Sequence, residues 1–292
     1  MIVRPTAEGV EVLAPAKLNL FLEILGRRPD GYHEIESLMV AVDLYDRLTF
    51  VDDPSGRIAL RCDDPTLSTG PDNLVVQAAE RLKAASGCPR GATIALYKAI
   101  PAQAGLAGGS SDAAATLEAL DRLWDLRTPP GRMDALAGEI GSDVVFFRYA
   151  PAAVCRGRGE RVEAVTLSRA LHFVLICPPV GLSTAEVYRH LRPPERPRPI
   201  GPVLAALVDG RPAPLGGSLF NRLQPVAEAL RPALAPVRDA LASLGPALAG
   251  HLMSGSGSAY FGLGRDRDAA DAAARHLRAL GLGRVRVVTC GP

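Results

Sequence analysis

Pro101-Ala102-Gln103-Ala104-Gly105-Leu106-Ala107-Gly108-Gly109-Ser110-Ser111-Asp112-Ala113-Ala114 is the segment on which the reading of this chain turns. Its glycines and small residues let backbone approach a ligand closely. Two serines follow at the mouth of a helix whose apolar face is Ala113, Ala114, Leu117 and Leu120. Free N–H groups and the dipole at a helix start favour an anion, most readily a phosphate. The same residues also suit a glycine-rich turn with Ser110 as an ordinary N-cap. The order is neither the G-x-x-x-x-G-K-[ST] of a P-loop nor the G-x-G-x-x-G of a dinucleotide-binding turn or a protein-kinase loop.

Upstream, Thr93–Tyr97 reads as a strand, and Asn73 caps a helix that runs to Ser86 and stops at Gly87. Between Lys17 and Leu25, Leu18, Leu20, Leu22 and Ile24 alternate with Lys17, Asn19, Phe21 and Glu23, the period of a strand. The turn Pro29-Asp30-Gly31 leads to an extended run at Glu36–Leu44, with short strands at Arg47–Val51 and Ile58–Cys62. Downstream, a helix near Met133 ends at Gly141, and Val144–Phe147, Ala152–Cys155 and Arg161–Val165 read as extended.

Near residue 166 the pattern restarts. Phe173–Cys177 is a buried strand, and Ser183 with Glu186 forms a capping box that opens a helix. The proline-rich residues 193–217 predict a long connection with one short helix at Val203–Val208. Helices follow at Asn221–Leu230 and Ala233–Leu244, strands at Gly250–Met253 and Ala259–Leu263, a helix at Arg267–Leu280 and a strand at Arg284–Thr289. Strand, helices, strand, strand, helix, strand is the order of a ferredoxin-like unit. The expected architecture is therefore two-domain α+β: a mixed N-terminal domain over residues 1–165 and a ferredoxin-like C-terminal domain over residues 166–292.

Composition narrows the function classes. The 292 residues are 48% hydrophobic and 22% charged, which excludes disorder over most of the chain. Lys+Arg 33 against Asp+Glu 31 gives +2, not the strongly basic balance of a nucleic-acid binder. The five cysteines show no C-x-x-C spacing and the histidines no H-E-x-x-H, so reduced thiols and no zinc site are expected. No apolar run reaches membrane-spanning length and no signal peptide is visible, so the expected location is the cytoplasm, with no membrane partner. Nothing in the sequence sets the oligomeric state.

The pattern Pro-x-x-x-Gly-Leu-x-Gly-Gly-Ser-Ser-x-Ala-Ala in Pro101–Ala114 resembles the phosphate-binding loop of the galactokinase, homoserine kinase, mevalonate kinase and phosphomevalonate kinase (GHMP) superfamily. Four more segments sharpen the resemblance: Ala14-Pro15-Ala16-Lys17-Leu18-Asn19-Leu20 with Asp30-Gly31-Tyr32-His33, Gly141-Ser142-Asp143-Val144-Val145-Phe146-Phe147, and Met253-Ser254-Gly255-Ser256-Gly257-Ser258. They are similar to the branch that acts on a cytidine diphosphate-linked methylerythritol in the non-mevalonate route to isoprenoid precursors. The resemblance implies ATP-dependent phosphorylation of the 2-hydroxyl of that small molecule, with Mg²⁺ accompanying ATP, no dedicated metal ligand set, and the substrate in a cleft between the domains.

It also implies roles. Asp143 would be the base and Lys17 the cation beside it. Pro101, Ala102, Gln103, Ala104, Gly105, Leu106, Ala107, Gly108, Gly109, Ser110 and Ser111 would cradle the ATP phosphates, while Asn73, Leu74 and Lys98 would line the adenine pocket. Asn19, Tyr32, His33 and Thr184 would contact substrate, and Tyr188 would stack on the cytosine. Two departures stand out. Ala107 replaces a glycine found in some relatives, which the loop tolerates if φ there is negative. Val145 replaces the usual proline after the base. On the residues alone, Asp143 also suits a solvated turn, Lys17 a snorkelling strand residue and Tyr188 an inward-packing helix residue. The same fold acting on mevalonate or homoserine, and a non-catalytic binding module, remain the alternatives; the base-contacting residues argue against the first and retention of Lys17 and Asp143 against the second.

Overall fold

The computed structural model describes residues 1–291. The chain opens with β1 (Ile2–Pro5), β2 (Gly9–Arg27), β3 (His33–Asp53) and β4 (Ile58–Cys62). Helix α1 (Leu74–Ser86), strand β5 (Gly91–Tyr97) and helices α2 (Gly108–Leu123), α3 (Pro130–Ile140) and α4 (Phe146–Tyr149) follow. Next come β6 (Ala152–Gly157), β7 (Arg161–Ala164), β8 (Leu171–Cys177), α5 (Thr184–His190), α6 (Gly201–Asp209) and α7 (Pro212–Ser218). The remainder is β9 (Phe220–Asn221), α8 (Gln224–Leu230), α9 (Ala235–Ser243), β10 (Leu248–Met253), β11 (Tyr260–Gly264), α10 (Arg267–Ala279) and β12 (Arg284–Cys290). These elements form two compact units. One comprises Met1–Ala16, Leu44–Ile100 and Ala107–Ala150; the other comprises Lys17–Asp43, Pro101–Leu106 and the chain from Pro151 on.

In the first unit β1 pairs antiparallel with the start of β2, the end of β3 pairs antiparallel with β5, and β4 lies parallel to β5. Val10, Val12 and Ala14 are buried while Gly9, Glu11 and Leu13 are partly exposed, the alternation of a strand with one wet face. Asn73 caps α1 as expected: its Oδ1 accepts the Val75 N–H at 2.9 Å, and Gly87 ends the helix at φ 68°. Helix α1 packs on α2, and buried alanines on both (Ala78, Ala79, Ala113, Ala114) suit the close approach. Residues 144–147 are not extended. They form a turn running into α4, with all four side chains buried. A short continuous apolar run has no period that separates a buried strand from a buried helical turn.

In the second unit β8, β10, β11 and β12 form a four-stranded sheet in the order β10-β11-β8-β12, every neighbouring pair antiparallel. Counted within this half the order is 2-3-1-4, the ferredoxin-like arrangement that the element sequence predicts. Helix α10 packs on β8 and α9 on β10 and β11, around a core that includes Val174, Ile176, Leu241, Tyr260 and Leu277. The start of β3 pairs with β6, and Phe21–Leu22 of β2 pair in parallel with β9. Asn221 thus sits in a strand, and the helix expected from it starts at Gln224.

Residues 193–217 hold two helices, α6 and α7, rather than one. Pro202 and Pro212 sit in their first turns, where a missing N–H costs nothing, so prolines that read as breakers act here as starters. Arg198 of the same stretch, with Arg222 beyond it, reaches Glu23, a fully buried carboxylate on β2. Arg222 donates to it from Nε (2.8 Å) and Nη2 (2.7 Å), and the Arg198 backbone N–H donates at 2.9 Å. Burial works to raise the Glu23 pKa, but these bonds, the Ile24 N–H and the Arg222 charge outweigh it and hold the carboxyl below its usual value.

Candidate active site

Helix α2 begins at Gly108, two residues before the expected start at Ser110, and its N-cap is Ala107. Ala107 adopts φ 55°, ψ 35°, so the condition of a negative φ there is not met; a left-handed alanine costs roughly 1–2 kcal/mol. Ala107 supplies no side-chain hydrogen bond to the first turn, and Ser110 lies inside the helix. The opening N–H groups of α2 therefore lack an intrahelical acceptor, as at every helix start, and lack a capping side chain as well. A Cβ at Gly108 would meet Ile100 Cγ2 at 3.0 Å and Lys98 Nζ at 3.2 Å, so Gly108 is a packing glycine. A Cβ at Gly109 would meet only Leu74 Cδ1, at 3.6 Å, which places Leu74 beside the helix start.

Lys98 lies at the end of β5 and is nearly buried. Its Nζ donates to Asp112 Oδ2 at 2.8 Å and to Asp46 Oδ2. Burial lowers its pKa, but the two carboxylates outweigh that and raise it. Asp143 is half-buried in the turn between α3 and α4. That turn is held from behind: Arg148 of α4 bonds Asp134 of α3 at 2.6 Å and also Glu118 of α2, and Tyr149 Oη donates to Asp134 at 2.6 Å. Val145 has φ −61°, the value proline would impose, so the substitution leaves the local backbone where a proline would set it.

In the second unit Lys17 is buried, not snorkelling. Its Nζ donates to Gly105 O at 2.9 Å and to Asn19 Oδ1. Asn19 Nδ2 in turn donates to Ser37 Oγ at 2.9 Å, and Ser37 Oγ to Phe21 O at 2.7 Å. Gly105 O accepts a second bond, from Ser254 Oγ at 3.0 Å. The 253–258 loop thus connects β10 and β11 and buttresses the Gln103–Leu106 segment, with the Ala259 N–H donating to Ala104 O at 3.1 Å. Asn221 Nδ2 fixes that loop by donating to Met253 O and Gly255 O at 2.8 and 2.7 Å.

The His33 and Tyr188 rings lie 5.3 Å apart, tilted by 37°. Tyr188 is half-buried on α5, against the core of this unit, and Tyr32 is exposed beneath the Arg158 guanidinium. Burial, then the Arg27 charge, pulls the His33 pKa below its ordinary value, which keeps one ring nitrogen a donor and the other an acceptor at neutral pH. Ser183 Oγ accepts the Glu186 N–H at 3.4 Å and so caps α5, while Thr184 Oγ1 lies 2.7 Å from Ser256 Oγ.

This arrangement has known relatives. The GHMP kinases N terminal domain matches residues 73–150 and the GHMP kinases C terminal domain matches residues 203–281. The 4-diphosphocytidyl-2-C-methyl-D-erythritol kinase of Pelotomaculum thermopropionicum is 43% identical over 92% of this chain and 94% of its own. A crystal structure of 4-(cytidine 5'-diphospho)-2C-methyl-D-erythritol kinase is 40% identical, with a TM-score of 0.80 over 97% of this chain and 99% of that one. The chain belongs to the 4-diphosphocytidyl-2-C-methyl-D-erythritol kinase family. It is a small-molecule kinase that uses ATP, with the two-domain α+β fold of the GHMP kinases. Homoserine kinase from Cytophaga hutchinsonii, at 21% identity and a TM-score of 0.78, shares the fold alone.

For a kinase of this family, the structure groups the expected residues as follows. Asn73, Leu74, Lys98, Ala107–Ser111 and Asp143 belong to the first unit; Lys17, Asn19, Tyr32, His33, residues 101–106, Thr184 and Tyr188 belong to the second. Asp46, Ser37, Arg148 and Asn221 support these groups and have no signature in the sequence. Their partners lie far along the chain, so no local spacing marks them. Ser254 sits inside a small-residue motif, and that is the one signal that could have found it.

Proposed function

We propose that this chain transfers the γ-phosphoryl group of ATP to the 2-hydroxyl oxygen of 4-diphosphocytidyl-2-C-methyl-D-erythritol, in the non-mevalonate route to isoprenoid precursors, and releases ADP. The uncapped, left-handed start of α2 supports phosphate binding there. Asp143 takes the hydroxyl proton as the new P–O bond forms, and Lys17 steadies the developing charge. His33 reads the pyrimidine edge and Tyr188 offers its ring face to the base. The ring pair carries the choice of acceptor, because mevalonate and homoserine have no base to stack.

In sequence, residues 1–165 supply the nucleotide side and residues 166–292 the ferredoxin-like domain. Mg²⁺ enters with ATP. Ser111 Oγ, buried and without a hydrogen-bond partner among the described residues, is an oxygen donor of the kind that ion takes. When bound, the ion offsets charge on the phosphate oxygens. A cytoplasmic place of action fits the five free cysteines, of which burial pushes Cys177 up to about 11 and Cys290 to about 12. Among the described residues no helix is long and apolar enough to cross a membrane.

The deciding experiment is an ADP-release assay with the cytidine substrate, mevalonate and homoserine offered in turn. ADP release with the cytidine substrate alone is expected. Turnover of either small alcohol sinks the acceptor assignment, and no turnover with any acceptor points to a non-catalytic binding module.

Two variants test the pockets separately. Tyr188→Ala should weaken the cytidine substrate by about 1–3 kcal/mol, the range for one lost aromatic–base stack, with ATP affinity unmoved. Loss of ATP binding instead would mean that the two nucleotides are assigned to the wrong pockets. Gly109→Val should reduce ATP affinity in a protein that melts normally, since the space for its first side-chain atom is free of protein apart from Leu74. Wild-type affinity in that variant would remove the start of α2 from the ATP site.

A further inference from the structure

The glycine-rich segment leaves β5 at Ala99–Ile100 and re-enters regular structure at Gly108, and one charged cluster touches both ends. Asp46 is fully buried on β3. Its Oδ1 accepts the backbone N–H groups of Ala99 (2.6 Å) and Ile100 (2.9 Å), the last residues before the loop. Its Oδ2 accepts from Lys98 Nζ, and the same ammonium donates to Asp112 Oδ2 at 2.8 Å in the second turn of α2. The Lys98 ammonium also lies beneath the helix start, 3.2 Å from where a Gly108 Cβ would be. Asp112 is 2% exposed, its Oδ1 has no hydrogen-bond partner among the described residues, and its Oδ2 accepts from Lys98.

We propose that Asp46, Lys98 and Asp112 form one positioning unit for the ATP phosphate loop, with Asp46 fixing its entrance, Asp112 its exit, and Lys98 joining the two. Lys98 then acts through its two carboxylates. Two acids share one ammonium in a dry site, and burial, together with Asp46, outweighs Lys98 and pushes Asp112 up to about 7. The cluster therefore depends on Lys98: without it, no cation joins the two buried acids and the link from the loop's entrance to its exit is lost. A loop held at both ends presents its N–H groups already ordered, and small displacements of such groups cost up to about 10²-fold in rate.

This inference rests on the loop being the ATP site, and the tests separate the two. Asp112→Leu cuts the exit tether and leaves the Asp46–Lys98 pair intact. It should raise KM for ATP about tenfold and leave KM for the cytidine substrate unchanged, while Asp112→Asn, which still accepts from Lys98, stays near wild type. Titration with magnesium and ADP gives the second reading: Lys98→Met should bind ADP more weakly, and adding Asp112→Leu to it should cost little more, since Lys98→Met has already cut the exit tether. Unchanged KM for ATP in Asp112→Leu, or a double variant whose losses simply multiply, overturns the positioning unit and leaves Lys98 as a direct contact to nucleotide. If Gly109→Val leaves ATP affinity intact, the loop assignment itself fails. A thermal melt of each variant identifies any that do not fold, and Asp112→Leu against Asp112→Asn decides the matter without Lys98→Met.

Discussion

Asp143→Asn should lower kcat by about 10²–10⁴-fold, the usual contribution of a general base. The amide keeps the shape of the carboxylate and loses its charge and its capacity to take a proton. The turn that carries it is held by Arg148 and Tyr149 against Asp134, so the side chain should remain where it is and the loss should be chemical. KM for ATP and for the cytidine substrate should change little, because the missing interaction belongs to the transition state. Raising the pH should restore nothing, as an amide does not ionise in that range. Lys17→Met should bring a loss of the same kind, and the double variant should fall well short of the product of the two, since residues that act as a unit are not additive. Steady-state kinetics on the three variants is sufficient. Near-wild-type turnover in Asp143→Asn would leave Asp143 a turn residue and the reaction without a side-chain base.

How far this could be read in advance depends on the distance over which each signal acts. The caps at Asn73 and Ser183 work through atoms two or three residues away, and the one at Gly87 through its own positive φ, so residue type and spacing carry them. The ferredoxin-like half was legible because its helices and strands alternate with clear turn residues between them. Residues 144–147 were not, because burial on all sides erases the period. Nor were α6 and α7, where proline reads as a breaker although the first helical turn is the one place that accepts it.

The candidate site divides in the same way. The glycines and serines of 101–111 announce a backbone that approaches something, yet which glycine packs inward and which faces open space depends on neighbours at 98, 100 and 74. The left-handed Ala107 runs against its own intrinsic preference, and strain of this kind is held in place by the surrounding structure. The bond from the Asn19 N–H to Ser254 Oγ spans 235 residues, and those from the Ala99 and Ile100 N–H groups to Asp46 span 53 and 54. No window along the chain contains both partners of any of them.

Gly105→Ala should be the most damaging single-methyl change in the loop. Gly105 has φ +73°, where an alanine costs roughly 1–2 kcal/mol. Its new Cβ would lie 2.1 Å from Ser254 O, a backbone atom that cannot rotate away. One segment or the other must move, and the Gly105 carbonyl moves with it. That carbonyl accepts from both Lys17 Nζ and Ser254 Oγ, so the displacement reaches the proposed catalytic cation as well as the phosphate cradle. Misplacement by about 1 Å costs on the order of 10²-fold, and kcat/KM should fall by at least that much. Thermal stability should drop too, since overpacking against backbone typically costs about 1–3 kcal/mol. Gly109→Val is the control for added bulk alone: it should weaken ATP binding without the loss of thermal stability. If Gly105→Ala keeps wild-type kcat/KM, the bond from Lys17 to Gly105 does not set the position of the ammonium, and the proposed role of Lys17 loses its structural support.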